Sequence, residues 1–211
     1  MPCPSKRVHF GGYAFNVYDD VYEPAEDSFL FAENLDVKEG AQVLDLGTGC
    51  GVLGILAAKK AGGVVAVDLN PYAIRCAKEN SALNGVRGKI EFVQASLFTA
   101  LNPNAVFDLI LFNAPYLPSE ENEAATWIGR AWAGGASGRE VVDRFISEAP
   151  PHLKPNGRVL LMQSTLTGVE ETLLKFSEQS LNVVVKASQK LPFFETLTLI
   201  EASAGMKKET I

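Results

Sequence analysis

The chain has little of what builds metal sites or disulfide frameworks. Three cysteines (Cys3, Cys50, Cys76) and two histidines (His9, His152) are scattered through 211 residues, with no CxxC pair and no HExxH segment. An odd, widely spaced cysteine set with isolated histidines argues against a zinc site or a cysteine-stapled scaffold, so no metal is expected. Long apolar runs are missing as well; no stretch approaches the ~20 residues that a membrane span needs. The opening MPCPSKRVHF carries prolines at 2 and 4 and no apolar run behind its basic residues, so it does not read as a secretory leader. A cytoplasmic protein with no membrane partner is expected. Positive charge is in deficit, with 19 Lys and Arg against 25 Asp and Glu, a net charge of −6. Nonspecific nucleic-acid binding draws on surplus cations, so this balance disfavours nucleic acid as a partner. Lys207-Lys208 is too short to make a basic patch.

What is present is a globular composition, 47% apolar and 21% charged. A chain of this length buries roughly 70% of its unfolded surface without staples. From about residue 42, apolar β-rich runs alternate with helix-length segments: Val43–Leu46, Val64–Val67, Ile90–Val93, Phe107–Phe112, Arg158–Met162, Val183–Val185 and Phe193–Ile200. That alternation predicts an α/β fold with a largely parallel sheet of seven strands. The last two runs stand too close for a helical crossover and are expected to pair as an antiparallel hairpin. Asn70-Pro71 reads as a helix start, as do Ser137–Glu140 and Thr167–Glu170, which fit the S/T-x-x-E capping box. Glu23-Pro24 opens another helix, carrying Phe29, Leu30 and Phe31. A single domain is expected: an N-terminal cap segment and helix over 1–40, a core over 41–202 and a frayed tail over 203–211. The patternless stretch Ala114–Ala136 follows the fourth strand, at the carboxyl end of the sheet where ligands sit.

VLDLGTGCGVLGILAAKK is a buried strand, a glycine turn and a helix. Gly47, Gly49 and Gly51 let backbone pass close to a ligand, and the helix start offers amide donors. Gly49-x-Gly51-x-x-Gly54 satisfies the dinucleotide fingerprint, and Asp68, 17 residues after Gly51, is placed to accept both hydroxyls of a ribose. The turn alone leaves NAD and S-adenosylmethionine open. Asp45, inside the strand, tilts the choice: a buried carboxylate demands a cation or donors, and a pyrophosphate would be repelled. Its competing role is to cap the turn amides. Cys50 in the turn reads as a small residue chosen for space.

FDLILFNAPYLP runs a buried strand into Asn113-Ala114-Pro115-Tyr116. Methylating a planar amide or aromatic amine needs two acceptors that draw its NH2 hydrogens out as charge develops. Asn113 offers a side-chain carbonyl and Ala114 a backbone carbonyl. Pro115 holds residue 114 extended, and Tyr116 offers an aromatic face for a planar substrate. No titrating residue is required.

DLGTGCG, the acid at 68 and NAPY together resemble class I S-adenosylmethionine-dependent amino-group methyltransferases. VYEPAEDSF at 21–29 and AWAGGASGREVVDRF at 131–145 narrow the resemblance to the HemK family, in its compact archaeal and eukaryotic release-factor glutamine methyltransferase branch. The resemblance runs from about Tyr18 to Ile200. It implies a Rossmann-like class I methyltransferase fold, S-adenosyl-L-methionine as cofactor, and methylation of the glutamine in the GGQ loop of a class I release factor. It also implies a heterodimer with a small zinc-binding activator protein. By the same resemblance Asp45, Gly47 and Gly49 line the methionine moiety, Ser28 stands beside it, Asp68 holds the ribose and Asn113 binds the substrate amide. Two departures stand out. Ser96 occupies the place of an aspartate that touches the adenine amine, and its hydroxyl accepts more weakly, leaving the Leu97 backbone as the firmer contact. Ala114 replaces a proline, a loss of preorganisation on the order of 0.4–1 kcal/mol that should leave activity intact.

The alternative acceptor is an exocyclic amine of adenine or guanine in RNA or DNA, since the same chemistry serves both. A dehydrogenase would leave NAPY without a purpose, and a noncatalytic scaffold would predict a damaged one. Trp127 and Trp132 with Tyr116 either wall the substrate or pack a lid. Arg130 and Arg139 either bind an acidic partner or, as the commoner pattern has it, are solvated loop charges.

Overall fold

The computed structural model describes residues 6–120 and 122–205. Cys3, Lys207-Lys208 and the tail from 206 onward lie outside the described residues. Nine strands and six α-helices follow one another along them, in an alternation set by the apolar runs. The N-terminal part holds β1 (Lys6–Phe10), β2 (Tyr13–Val17) and α1 (Glu26–Glu33). Next come β3 (Gln42–Leu46), α2 (Val52–Ala57), β4 (Gly63–Asp68), α3 (Pro71–Leu83), β5 (Ile90–Gln94) and β6 (Phe107–Asn113). The C-terminal part holds α4 (Trp127–Arg130), α5 (Glu140–Glu148), β7 (Leu153–Ser164), α6 (Val169–Glu178), β8 (Leu181–Lys190) and β9 (Thr196–Ala204).

Seven strands form one sheet in the order β5-β4-β3-β6-β7-β9-β8. The first five run parallel, and β9 inserts antiparallel between β7 and β8. The predicted terminal hairpin is therefore present. Its second strand starts later than expected, because Phe193 and Phe194 lie in a turn with φ of 61° and 65° and point into solvent. The central strands are buried on both faces, as fits a parallel sheet covered by helices. On one face Phe112, Phe145 and Phe176 interlock, with ring centroids 4.7 Å apart for the first pair and 6.4 Å for the second.

Helix α3 starts as its sequence predicts. The Asn70 side chain accepts from the Tyr72 amide, and Pro71 takes the first helical position. The other two predicted caps sit elsewhere. Helix α5 is preceded by Arg139; Ser137 Oγ accepts from the Arg139 amide, while the Glu140 carboxylate reaches back to the Ala136 amide. Helix α6 is preceded by Gly168 at φ 71°, and the Thr167 hydroxyl donates back to the Ser164 carbonyl instead of capping. In both cases other local hydrogen bonds of the preceding turn take the place of the predicted box.

The β1–β2 hairpin was not expected. Gly11 and Gly12, both at positive φ, make its two-residue turn between alternating segments. Two asparagines hold it, Asn80 on α3 and Asn84 just past its end. Asn80 accepts from the Asn16 amide and donates to its carbonyl, and Asn84 does the same for Ala14. These side-chain amides act as a surrogate strand, and they bring residues 18–28 over the carboxyl edge of the sheet.

Candidate active site

In the sheet register Leu46 at the end of β3 pairs with Phe112 near the end of β6. The chain leaves β3 towards β4 on one side, and β6 lies on the other. Such a reversal opens a crevice beyond the carboxyl ends of the strands. A cavity of about 550 Å³ fills that place. Ser28, Asp45, Gly47, Gly49, Asp68, Ser96, Leu97, Asn113, Ala114 and Pro115 all line it, so ten of the sequence-predicted site residues meet there although they span the chain from 28 to 115. Tyr116 does not line it: its ring is buried and its hydroxyl lies 3.4 Å from Asp27 Oδ2. Trp127 lines the cavity with the Arg130 guanidinium 4.8 Å from its ring, whereas Trp132 lines a smaller neighbouring cavity.

The Asp45 carboxylate is 1% exposed. Its Oδ2 accepts from the Thr48 hydroxyl at 2.6 Å and the Gly54 amide at 2.9 Å, so it does cap the turn. Its Oδ1 is buried with no partner. Burial, partly offset by those two donors, pushes its pKa up to about 7. The third glycine of the fingerprint is explained here: a Cβ on Gly54 would stand 2.7 Å from Asp45 Oδ2. That glycine makes room for a carboxylate, not for a pyrophosphate. Asp68 accepts from the Gly49 amide at 2.9 Å and the Asn70 amide at 2.8 Å, and burial raises its pKa. Each of its oxygens keeps a second lone pair for a ligand hydroxyl.

Asn113 ends β6, and its surroundings fix its orientation. Its Nδ2 donates to Asp27 Oδ2 at 3.1 Å and to Ser28 Oγ at 3.3 Å. A carboxylate only accepts, so the amide NH2 must face Asp27. That leaves Asn113 Oδ1 buried without a partner. Asp27, 6% exposed, also accepts from the hydroxyls of Tyr22 and Ser28, each at 3.1 Å. Burial first, and then the Asp27 charge, push the phenols of Tyr22 and Tyr116 upward, so both remain donors. Sequence reasoning passed over Asp27 and Tyr22. The only local signal is an acid beside Ser28; its partner Asn113 lies 86 positions away.

Ser96 Oγ accepts from Arg144 Nη1 at 2.9 Å, and Arg144 itself lines the cavity, another residue the sequence did not announce. Leu97 has a left-handed backbone, φ 48°, a strained state that bends the chain at the cavity wall. Arg139 corrects an expectation: it is 7% exposed, not a solvated loop charge. Its Nη1 donates to the Thr167 and Gly168 carbonyls at 2.6 and 2.7 Å, and its other nitrogens face Asp143 and Glu171. Cys50 is buried, and burial pushes its thiol upward, away from thiolate chemistry.

Two buried, unpartnered acceptors, a carboxylate oxygen and an amide oxygen, thus belong to one cavity wall. The residues fit a ligand that brings a cation and N–H donors. No helix among the described residues is long and apolar enough to cross a membrane.

A family model described as "Methyltransferase small domain" matches residues 23–129. The chain is 43% identical over 194 residues to a Methanocaldococcus jannaschii protein provisionally named a protein N5-glutamine methyltransferase, covering 91% of this chain and 96% of that one. It is 36% identical over 176 residues to the Homo sapiens methyltransferase HEMK2, covering 78% of this chain and 80% of the other. Among solved structures, the E. cuniculi Mtq2–Trm112 complex, described as responsible for methylating the termination factor eRF1, superposes with a TM-score of 0.69 at 26% identity, covering 88% of this chain and 99% of that chain. The chain therefore belongs to the HemK-type glutamine methyltransferases built on the methyltransferase small domain, and it is an N-methyltransferase.

Proposed function

We propose that this protein transfers the methyl group of S-adenosylmethionine to the side-chain amide nitrogen of a protein glutamine, the one in the GGQ loop of a class I release factor. The observation that carries this is the Asn113 amide, whose NH2 is committed to Asp27 and Ser28 and whose Oδ1 is left unpartnered. An unmet buried acceptor carries a free-energy penalty that an incoming N–H relieves. A substrate amide brings two N–H groups; Asn113 Oδ1 accepts one and the Ala114 carbonyl the other. Pro115 keeps residue 114 extended, so that carbonyl is held in place. Tyr116 acts from behind, by donating to Asp27. Trp127, which lines the cavity, takes the stacking role that sequence reasoning gave to Tyr116.

When bound, S-adenosylmethionine supplies an electrophilic methyl group on a sulfonium. Asp45 Oδ1 would pair with its ammonium group, Gly47 and Gly49 would let it approach the backbone, and Ser28 would flank its methionine end. Asp68 would accept from the ribose hydroxyls, while Ser96 and the Leu97 backbone would meet the base. The acceptor assignment is supported by the M. jannaschii and human relatives and by the eRF1-methylating complex. That complex pairs its methyltransferase with a second protein, which supports a heterodimer here with a small activator, zinc-binding by the family resemblance. A release-factor substrate would place the enzyme in the cytoplasm.

The test is transfer of labelled methyl from S-adenosylmethionine to a class I release factor, with the activator present, an RNA pool in parallel and Asn113→Ala as blank. Label on the release factor that disappears when its GGQ glutamine is replaced is the expected result. Label confined to RNA would refute the glutamine assignment.

A further inference from the structure

The tip of the β8–β9 hairpin exposes the two most solvent-accessible large apolar side chains among the described residues, Phe193 and Phe194, at 95% and 102%. They are consecutive, and both hold a left-handed backbone that bulky residues avoid. Strain combined with apolar exposure marks a surface that is kept for a partner. Leu166, 55% exposed, lies on the neighbouring turn after β7, and the Thr196 amide ties the tip to that turn through Thr165 Oγ1 at 2.9 Å.

The location tells what the partner is. The tip rises from the carboxyl edge of the sheet that carries Asn113, since Asn113 pairs with Met162 and Met162 with Leu199. Two strand spacings across and five residues along put it about 20 Å from Asn113. Glu195 beside it bears on Tyr116, adding to the rise of that phenol's pKa. The tip thus stands on the same edge of the sheet as the mouth of the cavity. The cavity receives one side chain, so the remainder of a folded acceptor must rest on this rim. Exposed Glu120 and Glu123 on the segment after β6, with Glu140 at the start of α5, outweigh the exposed Arg130 among them, a balance that disfavours a phosphodiester chain and accommodates a basic protein surface.

We infer that Phe193 and Phe194, with Leu166, form a docking knuckle for the acceptor protein, seated in an apolar patch of that protein about 20 Å from the glutamine being methylated. The inference rests on the protein-glutamine reading above.

The test uses the full chain with its activator and an intact class I release factor. The double variant Phe193→Ser/Phe194→Ser should raise KM for the release factor about tenfold or more, with kcat within about twofold, as loss of a binding anchor does. Leu166→Ser should move KM the same way by a smaller factor. S-adenosylmethionine affinity, measured by calorimetry, should be unchanged and reports that the variants are folded. An unchanged KM, or a fall in kcat at constant KM, would overturn the knuckle alone. So would loss of self-association in sedimentation with KM unchanged, which would assign the patch to a second copy of the chain. A wild-type protein that leaves the release factor unlabelled would overturn the acceptor reading and the knuckle together.

Discussion

Asp45 should make the unliganded protein weaker as pH rises and make cofactor binding stronger. The carboxyl is buried, caps Gly54 with one oxygen and leaves the other unpartnered, and its pKa in the fold is about 7. In the unfolded chain it is an ordinary aspartate near 3.8. Between those values the folded state holds the proton more tightly than the unfolded state does. Its contribution to stability is therefore fullest below pH 3.8 and is lost progressively up to about pH 7, by about 4 kcal/mol in all. Asp45→Asn removes the ionisation while keeping an oxygen for Thr48 and Gly54. The variant's advantage over wild type should grow by about 2–3 kcal/mol between about pH 5 and pH 8. In calorimetric Tm that is a divergence of about 5–10 °C. Cofactor affinity moves oppositely. Pairing with an ammonium requires the carboxylate, so affinity should fall about tenfold per unit of pH below 7 in the wild type. In Asp45→Asn it should be weak and flat with pH. A wild-type Tm difference from Asp45→Asn that does not change with pH, or a flat affinity profile, would refute both the buried-acid reading and its role towards the cofactor.

Other perturbations probe the surroundings of Asn113. Asp27→Asn lets the Asn113 amide face either way, and losing a charge-assisted hydrogen bond of about 1.5–3 kcal/mol should lower kcat about 10- to 100-fold in steady-state methyl transfer. Gly138 sits at φ 74°, and a Cβ there would lie 2.6 Å from the Tyr116 carbonyl oxygen and 2.4 Å from Thr167 Cγ2. Gly138→Ala should cost about 2 kcal/mol or more in denaturant unfolding and should lower kcat by shifting the segment after Pro115. Arg139→Met frees two carbonyls and two carboxylates from one buried guanidinium. A stability loss of about 2–3 kcal/mol, read as a Tm drop of about 5–10 °C, is expected, with Arg139→Lys recovering only part of it.

Where sequence reasoning succeeded, the cause was local. The parallel strands are legible because a strand buried on both faces must be apolar along its length. The start of α3 is legible because Asn-Pro dictates it. Where it failed, the deciding partner was distant. The β1–β2 hairpin leans on Asn80 of α3 and on Asn84 just past it, and nothing in residues 6–17 signals those bonds. Arg139 reads as a loop charge until β7 and α6 bring the Thr167 and Gly168 carbonyls to it. Phe193 continues an apolar run that resembles a strand until the turn throws it outward.

The sequence by itself determined the class of fold and the chemical vocabulary of the site. Apolar periodicity, the DLGTGCG turn and NAPY are short-range patterns whose geometry follows from a few adjacent residues. Only the tertiary structure decided what those groups do to one another. It set the NH2 of Asn113 against the Asp27 carboxylate 86 positions away, moved Tyr116 from the cavity wall to a supporting place behind it, and left one Asp45 oxygen unmet. A side chain's hydrogen-bond partners and desolvation depend on elements that chain folding brings together, and no local pattern encodes them.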